Sequence, residues 1–308
     1  MTDIASVSLH TPLADLADEL GNSFAEYGFA IVRDHGIPSD LIARAEEKSR
    51  AFFALPEEVK MQYHLKGMGG ARGSTPFGIE RAKDAQVHDL KEFWHVGRTL
   101  PPGHPLEQYM QPNVWPDEVE SFRDTFEALF GEFEKCGLRI LSAIALHLGL
   151  EEHFFDPTVK DGNSVMRLLH YPPVPVEAEG RIRAAAHEDI NTITLLLGAE
   201  EAGLELLAKD GRWLPVSPPE GALAVNIGDM LQRLTNGRLR STTHRVVNPV
   251  GERARFPRYS MPFFLHFRPD FLIEALESCV DEERRGEIES PITAHDYLMQ
   301  RLREINLV

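Results

Sequence analysis

Between residues 164 and 267 the chain falls into short β-type runs separated by turn residues, and this stretch limits the possible fold more than any other. The runs cover 165–171, 192–197, 204–208, 222–227, 244–247 and 258–267. Several short strands at this spacing predict a sandwich or a double-sheet jelly roll. The Asn236-Gly237 pair reads as a hairpin turn within it.

The flanks change period. Leu13, Leu16, Leu20 and Phe24 recur at helical spacing over 12–27, and a short apolar run over 28–32 reads as a buried strand ending in a turn over 34–38. Ser39 is placed to cap a following helix that carries Leu41, Ile42, Ala45 and Ala51. Residues 66–84 are rich in glycine and charge and read as a mobile loop, 93–96 as a strand, and 117–149 as a long amphipathic helix. Thr293 with Asp296 resembles a capping box before Tyr297, Leu298, Leu302 and Ile305. The expected architecture is α+β: one domain over 1–308, with a mainly helical region at 1–115, a double-stranded β-helix (jelly roll) core at 160–270 and a helix at 290–308.

A chain of 308 residues, 43% hydrophobic and 26% charged, has enough apolar surface to build a core without disulfides. Its 32 basic residues face 48 acidic ones, a net of −16. That balance argues against nucleic acid and against anionic lipid as partners, since both need positive surface. There is no apolar run of about 18 residues to span a membrane. The opening residues carry acids where a secretory leader needs bases, and the two cysteines, Cys136 and Cys279, suit a reducing compartment. The expected location is the cytoplasm.

Chemistry concentrates in two histidines and an acid. His187 is followed two residues later by Asp189, and in an extended segment residues i and i+2 share one face, about 6.6 Å apart. Glu188 points the other way. His244 lies far downstream, at the start of another β-type run that a jelly roll can bring alongside. Two imidazoles and a carboxylate make the facial triad used by non-haem Fe(II) oxygenases. An octahedral ion held by three protein groups keeps two positions for a 2-oxo acid and one for O2. Further on, Arg258 and Ser260 share a face by the same two-residue period, and a guanidinium fork beside a hydroxyl grips a carboxylate. Tyr171 offers another hydroxyl.

The order of these pieces resembles the isopenicillin N synthase-like family of Fe(II)/2-oxoglutarate-dependent dioxygenases over most of the chain. YGFAIVRDHGIP is similar to the family's "GF…NHGI" pattern, with Asp34 where Asn is usual. Tyr171 before Pro172-Pro173, then HEDINTITLLL, GLELL, Asn226-Ile227-Gly228-Asp229, Leu234-Thr235-Asn236-Gly237, residues 241–245 and RYSMPFF follow in the family's order. The resemblance implies that His187, Asp189 and His244 ligate Fe(II), that Arg258, Ser260 and Tyr171 hold the C5 carboxylate of 2-oxoglutarate, and that the enzyme uses O2 to oxidise, most simply to hydroxylate, a small molecule, releasing succinate and CO2.

Alternatives stay open on the residues alone. Isopenicillin N synthase has the same Arg-x-Ser pair without a 2-oxo acid, and the ethylene-forming oxidases use ascorbate. A zinc hydrolase would use the same three ligands, and a non-catalytic jelly-roll binding protein would use none. For the substrate, Phe264 shares its face of the strand with Arg258 and Ser260, Phe93 and His95 face one way from DLKEFWHVG, and Arg72 and Arg81 of the glycine-rich loop are placed to meet an acidic molecule, with the loop as a lid.

Overall fold

Leu16, Ala17, Leu20 and Phe24 are all buried on one side of helix α1 (Leu13–Tyr27), the stripe its apolar spacing predicts. In the computed structural model, which describes residues 4–65, 71–79, 88–175, 181–198, 202–280 and 288–304, the later helices are α2 (Ser39–Phe53), α3 (Glu57–Lys60), α4 (Phe122–His147), α5 (Asp156–Val159), α6 (Asp229–Leu234) and α7 (Ala294–Glu304). The strands, in chain order, are β1 (Ser6–Ser8), β2 (Phe29–Arg33), β3 (Gly73–Thr75), β4 (Glu92–Gly97), β5 (Val165–Tyr171), β6 (Ala184–His187), β7 (Ile193–Leu197), β8 (Leu204–Leu207), β9 (Trp213–Pro215), β10 (Leu223–Ile227), β11 (His244–Val246), β12 (Arg258–Leu265), β13 (Leu272–Ile273) and β14 (Ile292–Thr293).

The jelly-roll expectation holds. An eight-stranded sheet runs β1-β2-β10-β7-β12-β5-β4-β3, and a four-stranded sheet runs β6-β11-β8-β9. Strand alternation divides the work between the two faces of the large sheet. Trp94, Leu168, Leu195, Val225 and Phe263 point outward into the core shared with α1 and α4. Phe29 and Ala224 point inward and pack against Ala184, Leu204, Leu206 and Val246 of the small sheet. The space between the sheets is therefore apolar at one end, and its remaining inward positions are free for chemistry. Phe263 anchors the outer layer, stacked on Phe133 at 5.2 Å and edge-on to Phe130 at 4.9 Å. Phe263→Ala is expected to cost about 3–5 kcal/mol of stability, read as a lowered midpoint in chemical denaturation.

Several local readings need correction. Ser39 is the first residue of α2, not its cap; Pro38 takes the cap position, with its carbonyl accepting from Leu41 and Ile42. Asn236-Gly237 closes helix α6 instead of a hairpin. Asn236 lies at φ 47°, its N–H bonds Arg233 O, and the Gly237 N–H bonds Gln232 O, the 5→2 and 6→1 pair of a Schellman motif. Both turns need positive φ, so the dipeptide alone does not separate them. Helix α4 begins at Phe122, five residues later than its sequence pattern begins, because Ser121 sits at φ 58°. Within 66–84, residues 73–75 are a buried strand paired with β4, while 66–70 and 80–84, with Arg81, lie outside the described residues. The capping box is present: Thr293 Oγ1 accepts the Asp296 N–H at 3.1 Å and donates to its carboxylate at 2.7 Å. Ile305, the last residue of that helical pattern, is outside the described residues. Cys136 and Cys279 are buried and unbridged. Among the described residues no helix is long and apolar enough to cross a membrane.

Candidate functional site

Antiparallel pairing of β11 with β6 puts His244 directly opposite His187. Their ring centroids are 4.4 Å apart. Asp189, just past β6, brings Oδ1 to 3.8 Å from His187 Nε2 and Oδ2 to 3.9 Å from His244 Nε2. One donor atom from each of the three residues lies within 4.8 Å of the others. Each ring is fixed from behind. His187 Nδ1–H donates to Ala185 O at 2.7 Å and His244 Nδ1–H to Thr242 O at 3.0 Å. Backbone carbonyls only accept, so the proton is on Nδ1 and the Nε2 lone pairs face the centre. Phe29 sets its edge against the His244 ring at 5.4 Å.

The carboxylate is held as firmly. Asp189 Oδ2 accepts from Thr194 Oγ1 at 2.6 Å and from Asn226 Nδ2 at 2.8 Å. Asn191 Nδ2 in turn bonds Thr194 Oγ1 at 2.9 Å. Glu188 turns away and accepts from Thr243 Oγ1 at 2.8 Å. Burial works to raise the Asp189 carboxyl, but His244, His187 and the Asn226 and Thr194 hydrogen bonds outweigh it, and it lies below its ordinary value. Burial, with the neighbouring His244, pushes His187 down to about 4, although its ring is 37% exposed to the opening between the sheets. A neutral imidazole and an ionised carboxylate are the forms that bind a divalent ion. Two nitrogens and one oxygen, preset by a second layer of hydrogen bonds, fit Fe(II).

A second cluster sits on the inward face of the eight-stranded sheet. Arg258 on β12 is in register with Tyr171 on β5, and its guanidinium carbon lies 5.3 Å from the Tyr171 ring centre. Arg258 is 1% exposed and Ser260 2% exposed. Arg258 Nη2 reaches Gly198 O at 3.4 Å, but its Nε and the Ser260 Oγ are buried with no hydrogen-bond partner among the described residues. Buried donors are nearly always satisfied, so two orphans side by side next to a cationic group mark the place of an absent acceptor. A carboxylate fits it.

The residues expected to meet substrate divide. Phe93 and His95 do share a face of β4, with ring centres 4.8 Å apart, and Phe93 packs with Leu169 and Tyr171. Phe264 is in register with Thr194, the residue that holds Asp189. Arg72 is not on a solvent loop: it is 2% exposed, packed where Gly97 has no side chain. Three residues escaped the sequence. Arg167, opposite His95, donates from Nε to His95 Nε2 at 2.6 Å and lays its guanidinium 4.2 Å from the Phe93 ring centre. Arg183 is buried with its guanidinium carbon 5.8 Å from the Tyr171 ring centre. Asp89 accepts the Ala185 N–H at 3.1 Å, bracing β6, and pairs with buried Lys91 at 2.9 Å. Only the two-residue period could have flagged Arg167, which repeats with Leu169 and Tyr171.

A jelly roll whose interior brings together two histidines and an aspartate, with a buried arginine and serine on the facing sheet, has the make-up of a non-haem Fe(II) oxygenase. Comparison with known proteins agrees. The family described as non-haem dioxygenase in morphine synthesis N-terminal matches residues 2–118, and the 2OG-Fe(II) oxygenase superfamily matches residues 162–267. A 2-oxoglutarate-Fe(II) type oxidoreductase of Emericella nidulans is 34% identical over 295 residues, covering 92% of this chain and 82% of that protein. A Caulobacter crescentus protein assigned to the 2OG-Fe(II) oxygenase family superposes with a TM-score of 0.92 at 54% identity, covering 99% of this chain and 100% of the other. A full-length Neurospora crassa protein, crystallised with alpha-ketoglutarate (2-oxoglutarate) and thymine, gives a TM-score of 0.86 at 29% identity, over 97% of this chain and 96% of that one. The chain belongs to the 2OG-Fe(II) oxygenase superfamily. It is a 2-oxoglutarate-dependent dioxygenase that uses Fe(II) and O2.

Proposed function

We propose that this enzyme hydroxylates a small molecule, with His187, Asp189 and His244 holding the iron and Arg258, Ser260 and Tyr171 holding the C5 carboxylate of 2-oxoglutarate. One observation carries the co-substrate assignment: the Arg258 Nε and Ser260 Oγ, buried on the inward face of the eight-stranded sheet and unpartnered among the described residues, while the triad histidines stand on the four-stranded sheet. When bound, the iron supplies activation of O2 at the expense of 2-oxoglutarate, which leaves as succinate and CO2.

The chain's own part is orientation. The Nδ1–H bonds to Ala185 O and Thr242 O keep both imidazoles from rotating, and Asn226 and Thr194 keep the Asp189 carboxylate in one pose. The Arg258 fork with Ser260 fixes the far end of the 2-oxo acid, so that its keto end meets the triad in one orientation. Phe93, His95, Phe264 and Arg72 line the substrate side. We further infer a single domain spanning the chain, with the helical segments of 1–115 and 290–308 wrapped around the 160–270 core. In this reading the enzyme is cytoplasmic and stands with the isopenicillin N synthase-like branch.

The test is anaerobic addition of 2-oxoglutarate to the Fe(II)-loaded protein, followed by admission of O2 with candidate small acids, amines and amino acids. A visible charge-transfer band and substrate-stimulated succinate are expected. An oxidase independent of 2-oxoglutarate would show neither, and that outcome would overturn the assignment.

A further inference from the structure

Among the described residues, Arg72 is a buried cation with no anion beside it. It precedes β3, is 2% exposed, and makes no ion pair among the described residues. Two of its nitrogens are used by backbone carbonyls: Nε bonds Gln111 O at 3.0 Å and Nη1 bonds Ala71 O at 2.6 Å. Nη2 is buried with no partner.

Its placement is directional. The guanidinium lies against the face of Gly97 where a Cβ would stand, so any side chain there would collide with it. That face is the inner one, because Gly97 follows Phe93 and His95 at the two-residue period. From Gly97 a straight row crosses the sheet: Gly97 pairs with Val165, Val165 with Phe264, and Phe264 with Thr194, whose hydroxyl holds Asp189. Three strand spacings separate the ends of the row, about 14 Å between backbones. His266, buried one residue past β12, is within electrostatic reach of both Arg72 and Asp189. Arg258 and Ser260 lie away from this row, toward the other end of β12.

We propose that Arg72 is the specificity determinant of the substrate site, and that the substrate is a small carboxylic acid whose carboxylate meets Nη2 while a carbon several bonds away faces the triad. This rests on the hydroxylase reading above. Burial lowers the Arg72 guanidinium only to about 10, so it stays charged at neutral pH and an amide or ester is a poor replacement. Gln111 O and Ala71 O hold the fork flat and leave one edge for the incoming group.

The experiment uses Fe(II)- and 2-oxoglutarate-loaded full-length protein under anaerobic conditions. Calorimetry measures binding of matched pairs: phenylacetate and phenylacetamide, hexanoate and hexanamide, N-acetylproline and its amide. In the wild type at least one acid is expected to bind tenfold or more tightly than its amide. Arg72→Gln is expected to erase that preference while the 2-oxoglutarate titration of the charge-transfer band stays unchanged. Arg72→Lys, which keeps the charge without the fork, is expected to fall between. If no acid outbinds its amide in the wild type, the proposal is overturned, and this arm decides even where Arg72→Gln does not fold. It is equally overturned if Arg72→Gln weakens 2-oxoglutarate as much as it weakens the acid, since Arg72 would then serve the co-substrate. A wild type that shows no 2-oxoglutarate band at all would instead sink the hydroxylase reading, an outcome separate from either of these.

Discussion

Alanine in place of Asp189 is expected to remove iron binding and catalysis together. Asp189 contributes the only negative charge among the three converging donors, and both of its oxygens lie within 4 Å of an imidazole Nε2. Without it, two imidazole rings remain. They offer a divalent ion two nitrogens and no compensation of its charge. Changing a group that merely orients a metal ligand costs about 10–100-fold in affinity or activity, so loss of a ligand is expected to exceed about 100-fold. Truncation also strands the Thr194 hydroxyl and the Asn226 amide, which now donate to Oδ2 in a buried setting. Each unsatisfied donor costs about 1–3 kcal/mol, so a modest fall in thermal stability accompanies the loss. His187→Ala is expected to lose iron and activity in the same way. The control is Glu188→Ala, which removes a carboxylate one residue away that faces Thr243 and not the centre. Iron content by metal analysis and succinate release by product assay separate the two. Retained iron in Asp189→Ala, or lost iron in Glu188→Ala, would reverse the assignment of the ligand.

The elements that were legible in the residues are those whose burial is written in side chains. β5, β7, β10 and β12 carry Val, Ile, Leu, Met or Phe at alternate positions whose side chains join the main core on one side of the sheet. The strands that were missed have no such signature. β6 is three alanines and a histidine, and β3 is Gly-Ser-Thr. What makes them strands is tertiary: β6 is held by β11 on one edge and by the Asp89 carboxylate on the Ala185 N–H on the other. β9, Trp-Leu-Pro, is the outermost strand of the small sheet and ends in a proline, which an edge position tolerates. The same division runs through the site. His187 and Asp189 could be paired from the sequence because two donors at one strand end need no knowledge of the sheet. Asn226 could not, because its contact with Asp189 exists only once β10 lies beside β7. Arg72 sits in a glycine- and charge-rich stretch whose composition describes solvent, yet the pairing of β3 with β4 and the bare face of Gly97 bring it inside. Arg167 was masked by its neighbours, since an arginine in a strand is usually a surface residue.

Replacing Arg258 with lysine is expected to raise the 2-oxoglutarate concentration needed for half-maximal turnover by about 10–100-fold while leaving iron content unchanged. The reason lies in what surrounds the guanidinium. Arg258 is 1% exposed, its Nη2 touches only Gly198 O at 3.4 Å, and its Nε has no partner, so most of its donors are unspent. A planar fork presents two parallel N–H groups to a carboxylate, and the Ser260 hydroxyl, two residues along the same face, offers a further donor. An ammonium keeps the charge but presents a single point, and its stem is shorter. A hydrogen bond to a charged group contributes about 1.5–3 kcal/mol, and each 1.4 kcal/mol is a tenfold change in affinity. Loss of one such bond therefore accounts for the lower bound and loss of one with its alignment for the upper. The effect belongs in the 2-oxoglutarate KM and not in kcat at saturation, because in the proposed arrangement the fork would hold the far end of the co-substrate, away from the triad. The Tyr171 ring, 5.3 Å from the guanidinium carbon, stays in place in the variant and limits how far lysine can wander. Steady-state succinate formation across a 2-oxoglutarate series decides the matter. An unchanged KM would mean that the unpartnered Arg258 Nε and Ser260 Oγ await some other carboxylate, the substrate's own among them.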